Sequence, residues 1–259
     1  SRFASPLSLY HDKRQTLAPD LSEREWLFWG RALERPIGER YRTETGRRVA
    51  FPTAPYHLVR MEGHPELVAS CDAMLADDAR DSPGVLEIKN VGFYVGLDWE
   101  EEAPLQFQVQ LQHQLMVTGC RWGGLAALVG GNHFVYQNIE RDEAFIARLF
   151  ELERTFWRDH VEAGVEPPAD GSAATKALLK ELYPDELVES VALPPEAQTW
   201  HEALVRAKET IKLAEGEKDE AENKLRQAIG AATCGVHPSG LVYTLKKQRR
   251  KEYVVKANE

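Results

Sequence analysis

The chain has 259 residues, of which 43% are hydrophobic and 28% are charged, and its formal net charge is −9 at pH 7. This composition is typical of a globular protein with a sizeable core, and no stretch approaches the roughly 18 consecutive apolar residues that a membrane-spanning helix needs. The acidic net charge argues against a protein that coats nucleic acid indiscriminately. The three scattered cysteines exclude a disulfide framework and a four-cysteine metal cluster, and they favour a reducing cytosol.

The first residues carry no signal-peptide pattern. The opening segment, "SRFASPLSLYHDKRQ", is instead typical of the interior of a helix, which predicts a natural N-terminus further upstream.

Charge is unevenly distributed along the chain. Residues 61–110 contain two Lys or Arg against eleven Asp or Glu, whereas residues 1–60 contain eleven against seven. A solvated acidic loop is one explanation of the acidic segment, and a functional cluster of carboxylates is the other.

Hydrophobic periodicity predicts an α/β (α+β-like) core, in which a mixed central sheet is flanked by helices. The helical pattern at the start contains Pro36, where we expect a break or the start of a second helix. The predicted elements in chain order are a helix over residues 22–45, strands within 48–61, 66–75 and 84–97, a helix over 104–119, two strands within 122–140 and an amphipathic helix over 142–164.

The remainder of the chain predicts an extension of different character. Residues 1–164 form the predicted core, and residues 165–197, which contain Pro, Ala and Gly, form a connector. From residue 198 onward, apolar or small residues recur in a four-three alternation, broken once by Lys218, that favours a long helix or a helical hairpin. A β-hairpin with a strongly basic turn is expected at residues 240–255, which completes an extension over residues 198–259.

Two carboxylates fall where neighbouring strands of the predicted sheet would bring them together. Asp72 ends one predicted strand and Glu87 lies on the next, after fourteen intervening residues. Side chains on adjacent antiparallel strands approach within about 5 Å, and Mg²⁺ is often held by one or two carboxylates plus water and phosphate. Strand alternation directs Glu87 and Lys89 to one face and Ile88 to the other, which leaves the Ile88 carbonyl free as a further ligand. The Glu-x-Lys pattern alone is weak, since Glu222–Lys224 repeats it in a helical stretch.

Further polar side chains fall where such a site would use them. Lys89 could hold or deprotonate the attacking water, and its expected neighbours are the two carboxylates, because an unpaired buried lysine is costly. Glu34, on the first predicted helix, could approach the metal from the side. Gln110, on the helix after the Glu87 strand, could orient water or the scissile phosphate.

Five motifs follow one another in order over residues 26–160. They are "WGRALE", "ASCDAML", "VLEIKN", "QVQLQHQLMVTG" and "FVYQNIERDEAFIARLFE". This ordered set resembles the PD-(D/E)XK nuclease superfamily and, within it, the YqaJ-type viral recombinases, the family of phage lambda exonuclease. The resemblance implies a PD-(D/E)XK core with Mg²⁺ as the cofactor, for which Mn²⁺ could substitute. The roles that the resemblance implies are metal ligation by Asp72, Glu87 and the Ile88 carbonyl, positioning of water by Lys89, an auxiliary acid at Glu34 and a supporting amide at Gln110.

The same resemblance implies a function. The expected activity is a Mg²⁺-dependent DNA exonuclease that resects duplex ends from 5′ to 3′ and leaves a 3′ overhang for a single-strand annealing protein. The expected assembly is a homotrimeric ring that does not associate with a membrane. Its expected location is the cytoplasm of a bacterium or phage-infected host. A site-specific or structure-specific endonuclease of the same superfamily and a catalytically inactive DNA-binding or partner-binding module are the alternatives.

Two departures limit the resemblance. We expect the N-terminal segment in which this family carries an Arg that helps to hold a DNA end to be absent or truncated here, so no residue is assigned to a 5′-phosphate. The family's usual Gly after the first Asp is Ala73 here.

Two surface features remain open at the sequence level. The basic turn, with Lys246, Lys247, Arg249 and Arg250, is a candidate DNA-binding segment, and a merely solvated turn is the alternative. Trp26, Phe28 and Trp29 have helical spacing that favours core packing, and a wedge on which DNA bases stack is the alternative.

Overall fold

The computed structural model describes residues 4–15, 24–53, 58–96, 99, 102–184 and 190–244. The chain divides into two compact units, Ser1–Glu186 and Leu187–Glu259, and the division falls inside the predicted connector. In the described residues, no helix combines the length and the apolar character that crossing a membrane would require.

The first unit is built on a five-stranded mixed sheet with strand order β1-β4-β5-β6-β7. The β5–β6 pair is parallel and the other pairs are antiparallel, and a separate two-stranded sheet is formed by β2 and β3. The α/β class with a mixed sheet is therefore confirmed. The strands are β1 (Arg48–Ala50), β2 (Leu58–Met61), β3 (His64–Ser70), β4 (Ala73–Ala76), β5 (Gly84–Val91), β6 (Trp122–Val129) and β7 (His133–Glu140).

Helices flank this sheet. In chain order they are α1 (Pro6–Lys13), α2 (Glu25–Thr45), α3 (Phe93–Gly96), α4 (Leu105–Thr118), α5 (Glu143–Phe156), which continues as a π-helical turn (Trp157–Glu162), and α6 (Ala173–Leu182). The predicted connector thus contains a helix, α6, which contacts α1 within the first unit.

The central strand β5 is covered on both faces. Val85 packs in the hydrophobic cluster that includes α4, and Leu86 packs in the cluster that includes α2. Because successive side chains of a strand point to opposite faces, Glu87 follows Val85 and Ile88 follows Leu86. The strand therefore carries an ionisable side chain into the layer beneath α4.

The single strand predicted over residues 66–75 is wrong. The structure divides it at Cys71 and Asp72 into β3 and β4, which belong to different sheets. Leu67 packs in the cluster with α4, whereas Leu75 packs in the cluster with α2. Both residues have odd numbers, so the alternation of buried and less buried residues continues unbroken, although the chain passes from one hydrophobic cluster to the other.

The predicted break at Pro36 is also wrong, since α2 runs unbroken from Glu25 to Thr45. Pro36 is exposed, and Ile37 and Tyr41 in the following turn are buried against the sheet. Their packing holds the helix together although the proline removes one backbone donor.

The second unit consists of one long helix, α7 (Ala197–Ile229), followed by a short hairpin of β8 (Cys234–Val236) and β9 (Val242–Thr244). Of the two alternatives for residues 198–232, the long helix is correct and the helical hairpin is wrong. Residues 242–244, in the first strand of the predicted basic hairpin, form β9 and pair with β8, which precedes them in the chain. Lys246, Lys247, Arg249 and Arg250 lie outside the described residues.

Candidate active site

The pairing of β4 with β5 brings Asp72 and Glu87 together. In this antiparallel pair Ala73 lies opposite Leu86, and extending the register by one residue places Asp72 opposite Glu87. Asp72 Oδ2 accepts a hydrogen bond of 2.7 Å from the Ile88 N–H. The two carboxylates therefore meet where β4 begins, because the chain leaves β3 and enters the main sheet at this point.

The electrostatics of this pair are unfavourable in the protein alone. Burial, followed by the charge of Glu87, raises the pKa of Asp72 from 3.8 to about 8, and the Ile88 N–H opposes the rise. Glu87 is only 2% exposed. Burial and then the charge of Glu87 also raise the pKa of Glu34, on α2, which Arg31 and Lys89 oppose. Three carboxylates thus share one electrostatic neighbourhood, although no described hydrogen bond joins Glu34 to the other two.

This donor set fits a divalent cation. A half-buried and a buried carboxylate side by side repel each other when both are ionised, and a cation held between them would relieve that repulsion. Hard cations such as Mg²⁺ prefer oxygen ligands of this kind. Among the described residues, no group of three or more His, Cys, Asp and Glu side chains is arranged to hold a metal, so the fit depends on two carboxylates and a carbonyl.

Ile88 supplies that carbonyl from the backbone. Its side chain is buried in the cluster beneath α2, and its N–H points to Asp72. Because the N–H and the C=O of one strand residue point to the same side, the Ile88 carbonyl faces the Asp72 side of β5. An oxygen ligand at this position depends on strand geometry and not on the identity of the side chain.

Lys89 lies beside the carboxylates. Its Nζ forms an ion pair with Glu87 Oε1 and donates to Gln110 Oε1 at 3.0 Å. The ammonium also lies 5.3 Å from the centre of the Phe107 ring. The Lys89 side chain is 23% exposed, so part of it faces solvent. The structure thus brings Lys89 and Gln110 together with Glu87, and among the described contacts no ion pair joins Lys89 to Asp72, the second expected neighbour.

Gln114 is a site residue that the sequence reasoning missed. It donates to Glu87 Oε2 at 2.6 Å and to the Ser70 carbonyl at 3.1 Å, while Gln110 donates to Glu87 Oε1 at 2.7 Å. Two amides one helical turn apart therefore hold both oxygens of one carboxylate. The Gln110–Gln114 spacing of four places both side chains on one face of α4, and that spacing was the available signal. Gln114 Oε1 is buried without a hydrogen-bond partner among the described residues.

We expect Gln114→Leu to reduce catalysis or Mg²⁺ affinity by about 10–100-fold, because groups that orient a metal ligand have effects of this size. Gln112→Leu is the matched control, since Gln112 is an equally buried glutamine on α4 that bonds the backbone of Glu140 and Asp142 instead. Both variants should lose about 1–3 kcal/mol of stability through unpaired polar groups. Hydrolysis rates and Mg²⁺ titrations distinguish them, and equal kinetic defects would contradict a role for Gln114 in holding Glu87.

The aromatic side chains at the start of α2 are not core residues, so that prediction is wrong. Trp26, Phe28 and Trp29 are 65%, 62% and 50% exposed. Trp29 is fixed by a hydrogen bond of 2.9 Å to Glu25 and contacts Phe28 edge to face. They precede Glu34 on the same helix by one to two turns, so the interpretation that remains is a surface on which bases could stack.

Comparisons with known proteins agree with the sequence resemblance. A family profile described as the YqaJ-like viral recombinase domain matches residues 1–121. The chain is 30% identical over 242 residues to the uncharacterized protein YqaJ of Bacillus subtilis (strain 168), covering 91% of this chain and 73% of that protein.

Solved structures show more distant likenesses. The alkaline exonuclease LHK-Exo of Laribacter hongkongensis in complex with dAMP is 23% identical, with 65% of this chain and 78% of that chain covered at a TM-score of 0.49. A phage-related exonuclease from Haemophilus somnus 129PT is 11% identical, with 67% and 80% covered at a TM-score of 0.42. At these TM-scores the likenesses transfer no residue roles to this chain.

Proposed function

The chain belongs to the YqaJ-like viral recombinase family, and from that membership and the paired carboxylates we propose that it is a Mg²⁺-dependent deoxyribonuclease that resects duplex DNA ends. The observation that carries the proposal is the pair of half-buried Asp72 and buried Glu87, with Lys89 bonded beside it. Family membership alone does not establish the reaction, whereas a carboxylate pair next to an amine supplies what metal-assisted phosphodiester hydrolysis needs. Mn²⁺ should substitute for Mg²⁺, because both accept oxygen ligands.

Each residue of the site has a distinct task in this proposal. Asp72, Glu87 and the Ile88 carbonyl would hold the cation, which would supply a lowered pKa for the attacking water and neutralise phosphate charge. Lys89 holds the attacking water through its ammonium group or, as the neutral amine, takes the proton of that water. Gln110 and Gln114 fix the orientation of Glu87, and Glu34 adds negative charge at the side of the site.

We further propose that digestion runs 5′ to 3′ and delivers a 3′ overhang to a single-strand annealing protein, within a homotrimeric ring. Family resemblance supports this proposal, and the net charge of −9 gives a physical reason for a ring. An acidic surface holds DNA weakly, whereas a closed ring retains its substrate by topology.

The test is digestion of linear duplexes labelled at either end, with and without a 5′-phosphate, beside nicked and closed circles. We expect Mg²⁺-dependent release of label from the 5′ end first and no attack on closed circles. Cleavage of closed circles would instead identify an endonuclease, and the absence of hydrolysis with either Mg²⁺ or Mn²⁺ would identify a binding module.

Mg²⁺ affinity should rise with pH. The cation requires ionised Asp72, and the raised pKa of about 8 means that this carboxyl holds a proton at neutral pH. Proton release on binding should therefore tighten Mg²⁺ binding by up to tenfold per unit between about pH 6 and pH 8, with a plateau above. Neutral Asp72 stabilises the metal-free fold fully below the ordinary pKa of 3.8, and that stability is lost as the pH rises through about 8.

Calorimetric titration with Mg²⁺ between about pH 6 and pH 8 measures how steeply the Mg²⁺ affinity rises with pH. Thermal unfolding of the metal-free protein should show the opposite trend, with a midpoint that falls as the pH rises. Asp72→Asn has no titrating group at this position and should flatten the pH dependence of unfolding, while its Mg²⁺ binding should be lost together with the charged ligand. A wild-type affinity that does not change between pH 6 and pH 8 would contradict the proton competition.

The basic segment beyond β9 is proposed to bind DNA phosphates. Each phosphate contact contributes about 0.9 to the slope of log affinity against log salt. Replacing Lys246, Lys247, Arg249 and Arg250 by Gln should therefore flatten the slope by about 2–4 units, while hydrolysis at saturating DNA stays nearly unchanged. The charge-preserving variant Arg249→Lys with Arg250→Lys should keep the wild-type slope. An unaltered slope in the fourfold Gln variant would show that the segment serves another purpose.

A further inference from the structure

One face of α7 carries an apolar stripe that the second unit leaves uncovered. No residue of α7 is buried, and the large members Trp200, Leu204 and Ile211 are 60%, 52% and 57% exposed. A four-three alternation of this kind is the spacing with which a helix pairs with another helix in a coiled coil. The stripe consists of Trp200, Leu204, Ala207, Ile211, Ala214, Lys218, Ala221, Leu225 and Ala228.

Large and small residues alternate along this stripe. Leu204, Ile211 and Leu225 occupy one of the two core positions of the heptad, interrupted only by Lys218. From residue 207 onward the other core position holds only alanine. In an antiparallel pair of helices the first core position of one helix faces the second core position of the other, so large side chains meet alanine. A parallel pair would stack Lys218 on Lys218, which repels.

We propose that α7 pairs with α7 of a second copy of this chain as an antiparallel two-stranded coiled coil. Because this pair has twofold symmetry, the second copy belongs to another ring of the proposed kind, and the pair joins two rings rather than closing one. In the proposed register Ile211 faces Ala214 of the second copy, and Leu204 faces Ala221. The pair extends from residue 200 to residue 225, about 39 Å of helix at the usual rise.

Charge complementarity selects this register. The residues that flank the stripe bring Lys208 beside Glu215 of the second copy and His201 beside Glu222, each pair occurring twice by symmetry. Shifting the register by one heptad toward the C-terminus would instead bring Glu215 against Glu215. Opposite charges at flanking positions of this kind set partner choice and orientation in coiled coils.

The C-terminal end of α7 is compatible with the pair. The β8–β9 hairpin packs on α7 at Ile229, beyond the paired segment. A cavity of about 250 Å³ lies here, lined by Leu225, Arg226, Ile229 and Tyr243 among others. In the proposed register Trp200 of the second copy lies opposite Leu225, so its exposed indole has this cavity to occupy.

Disulfide cross-linking tests the register. In a Cys234→Ser background, where the two remaining native cysteines are buried, Lys208→Cys with Glu215→Cys should give a covalent dimer on a non-reducing gel. Residues 208 and 215 of one helix are about 10.5 Å apart along its axis, too far to bridge within one chain. Each single variant should remain uncross-linked. The proposal is overturned if the double variant gives no dimer, or if Glu215→Cys alone cross-links as well as the pair does.

Light scattering tests the surface independently. Ile211→Glu should reduce the assembly mass at least twofold while circular dichroism shows a preserved helix. The matched control is Leu213→Glu, which replaces a residue of the same helix that is 72% exposed and lies on the opposite face, and which should keep the wild-type mass. A wild-type mass of 29.3 kDa, that of one chain, or equal effects of the two variants would overturn the proposal.

Discussion

Asp72→Asn and Glu87→Gln should each abolish Mg²⁺-dependent hydrolysis of DNA while the chain stays folded. Loss of a charged ligand removes cation binding and with it several kcal/mol of transition-state stabilisation, which corresponds to at least about a thousandfold in rate. Asn can still accept the Ile88 N–H, so the local hydrogen bond is retained. Above about pH 8, where Asp72 is ionised, Asp72→Asn removes one of two repelling charges, and the metal-free variant should unfold there at a temperature equal to or above that of the wild type. Glu87→Gln gives up the ion pair with Lys89 and should unfold no higher than the wild type.

Steady-state hydrolysis, DNA affinity without divalent cations and thermal unfolding together check this expectation. DNA affinity should be equal to or tighter than that of the wild type, because Glu87→Gln removes a negative charge and Asp72→Asn adds none. Asp78→Asn is the matched control, since Asp78 pairs with Arg48 on the exposed bend between β4 and β5 and should leave the rate unchanged. Wild-type turnover in either amide variant would remove the carboxylate pair from the mechanism.

Lys89→Ala should lower the maximal rate by about 10²–10⁴-fold, the range for a group that positions or transfers a proton in the transition state. The KM for DNA should change little, because the side chain acts at the reacting water and not on the bound duplex. Single-turnover rates at saturating DNA separate the chemical step from binding. A variant that alters only the apparent affinity for DNA would show that Lys89 serves binding instead.

The supporting residues provide a graded comparison with Lys89. Gln110→Ala removes one hydrogen bond to Lys89 and one to Glu87, and should cost less than Lys89→Ala. Glu34→Gln should also cost less, and higher Mg²⁺ or Mn²⁺ should relieve its defect because Glu34 acts on the cation through charge. A Glu34→Gln defect as large as that of Glu87→Gln would make Glu34 a direct ligand.

The meeting of Asp72 with Glu87 was predictable from sequence, because strand alternation and an antiparallel neighbour suffice to bring them together. The division of the chain at Asp72 into two strands of different sheets was not predictable. Leu67 and Leu75 both have odd numbers, so the hydrophobic alternation is that of a single strand although the chain changes sheets between them. Gln114 was missed because a glutamine on an apolar helix face shows its partner only once the sheet beneath is known.

Exposure was the least predictable property. Trp26, Phe28 and Trp29 repeat with helical spacing, which identifies a shared face of α2 but does not reveal whether another element covers that face. The same holds for α7, where the four-three alternation predicted a helical partner and left open whether that partner lies within the chain. Composition also gave no means of distinguishing a long helix from a hairpin at Lys218, because an exposed lysine is compatible with both.

The most direct test of the central claim is the position of a bound cation. Crystals soaked in Mn²⁺ and measured at its absorption edge should show an anomalous peak bounded by Asp72, Glu87 and the Ile88 carbonyl, at about the 2.0–2.2 Å typical of oxygen ligands. Glu87→Gln crystals treated in the same way should lack that peak. A wild-type crystal with no peak at these three groups, or with the only peak elsewhere, would contradict the assignment.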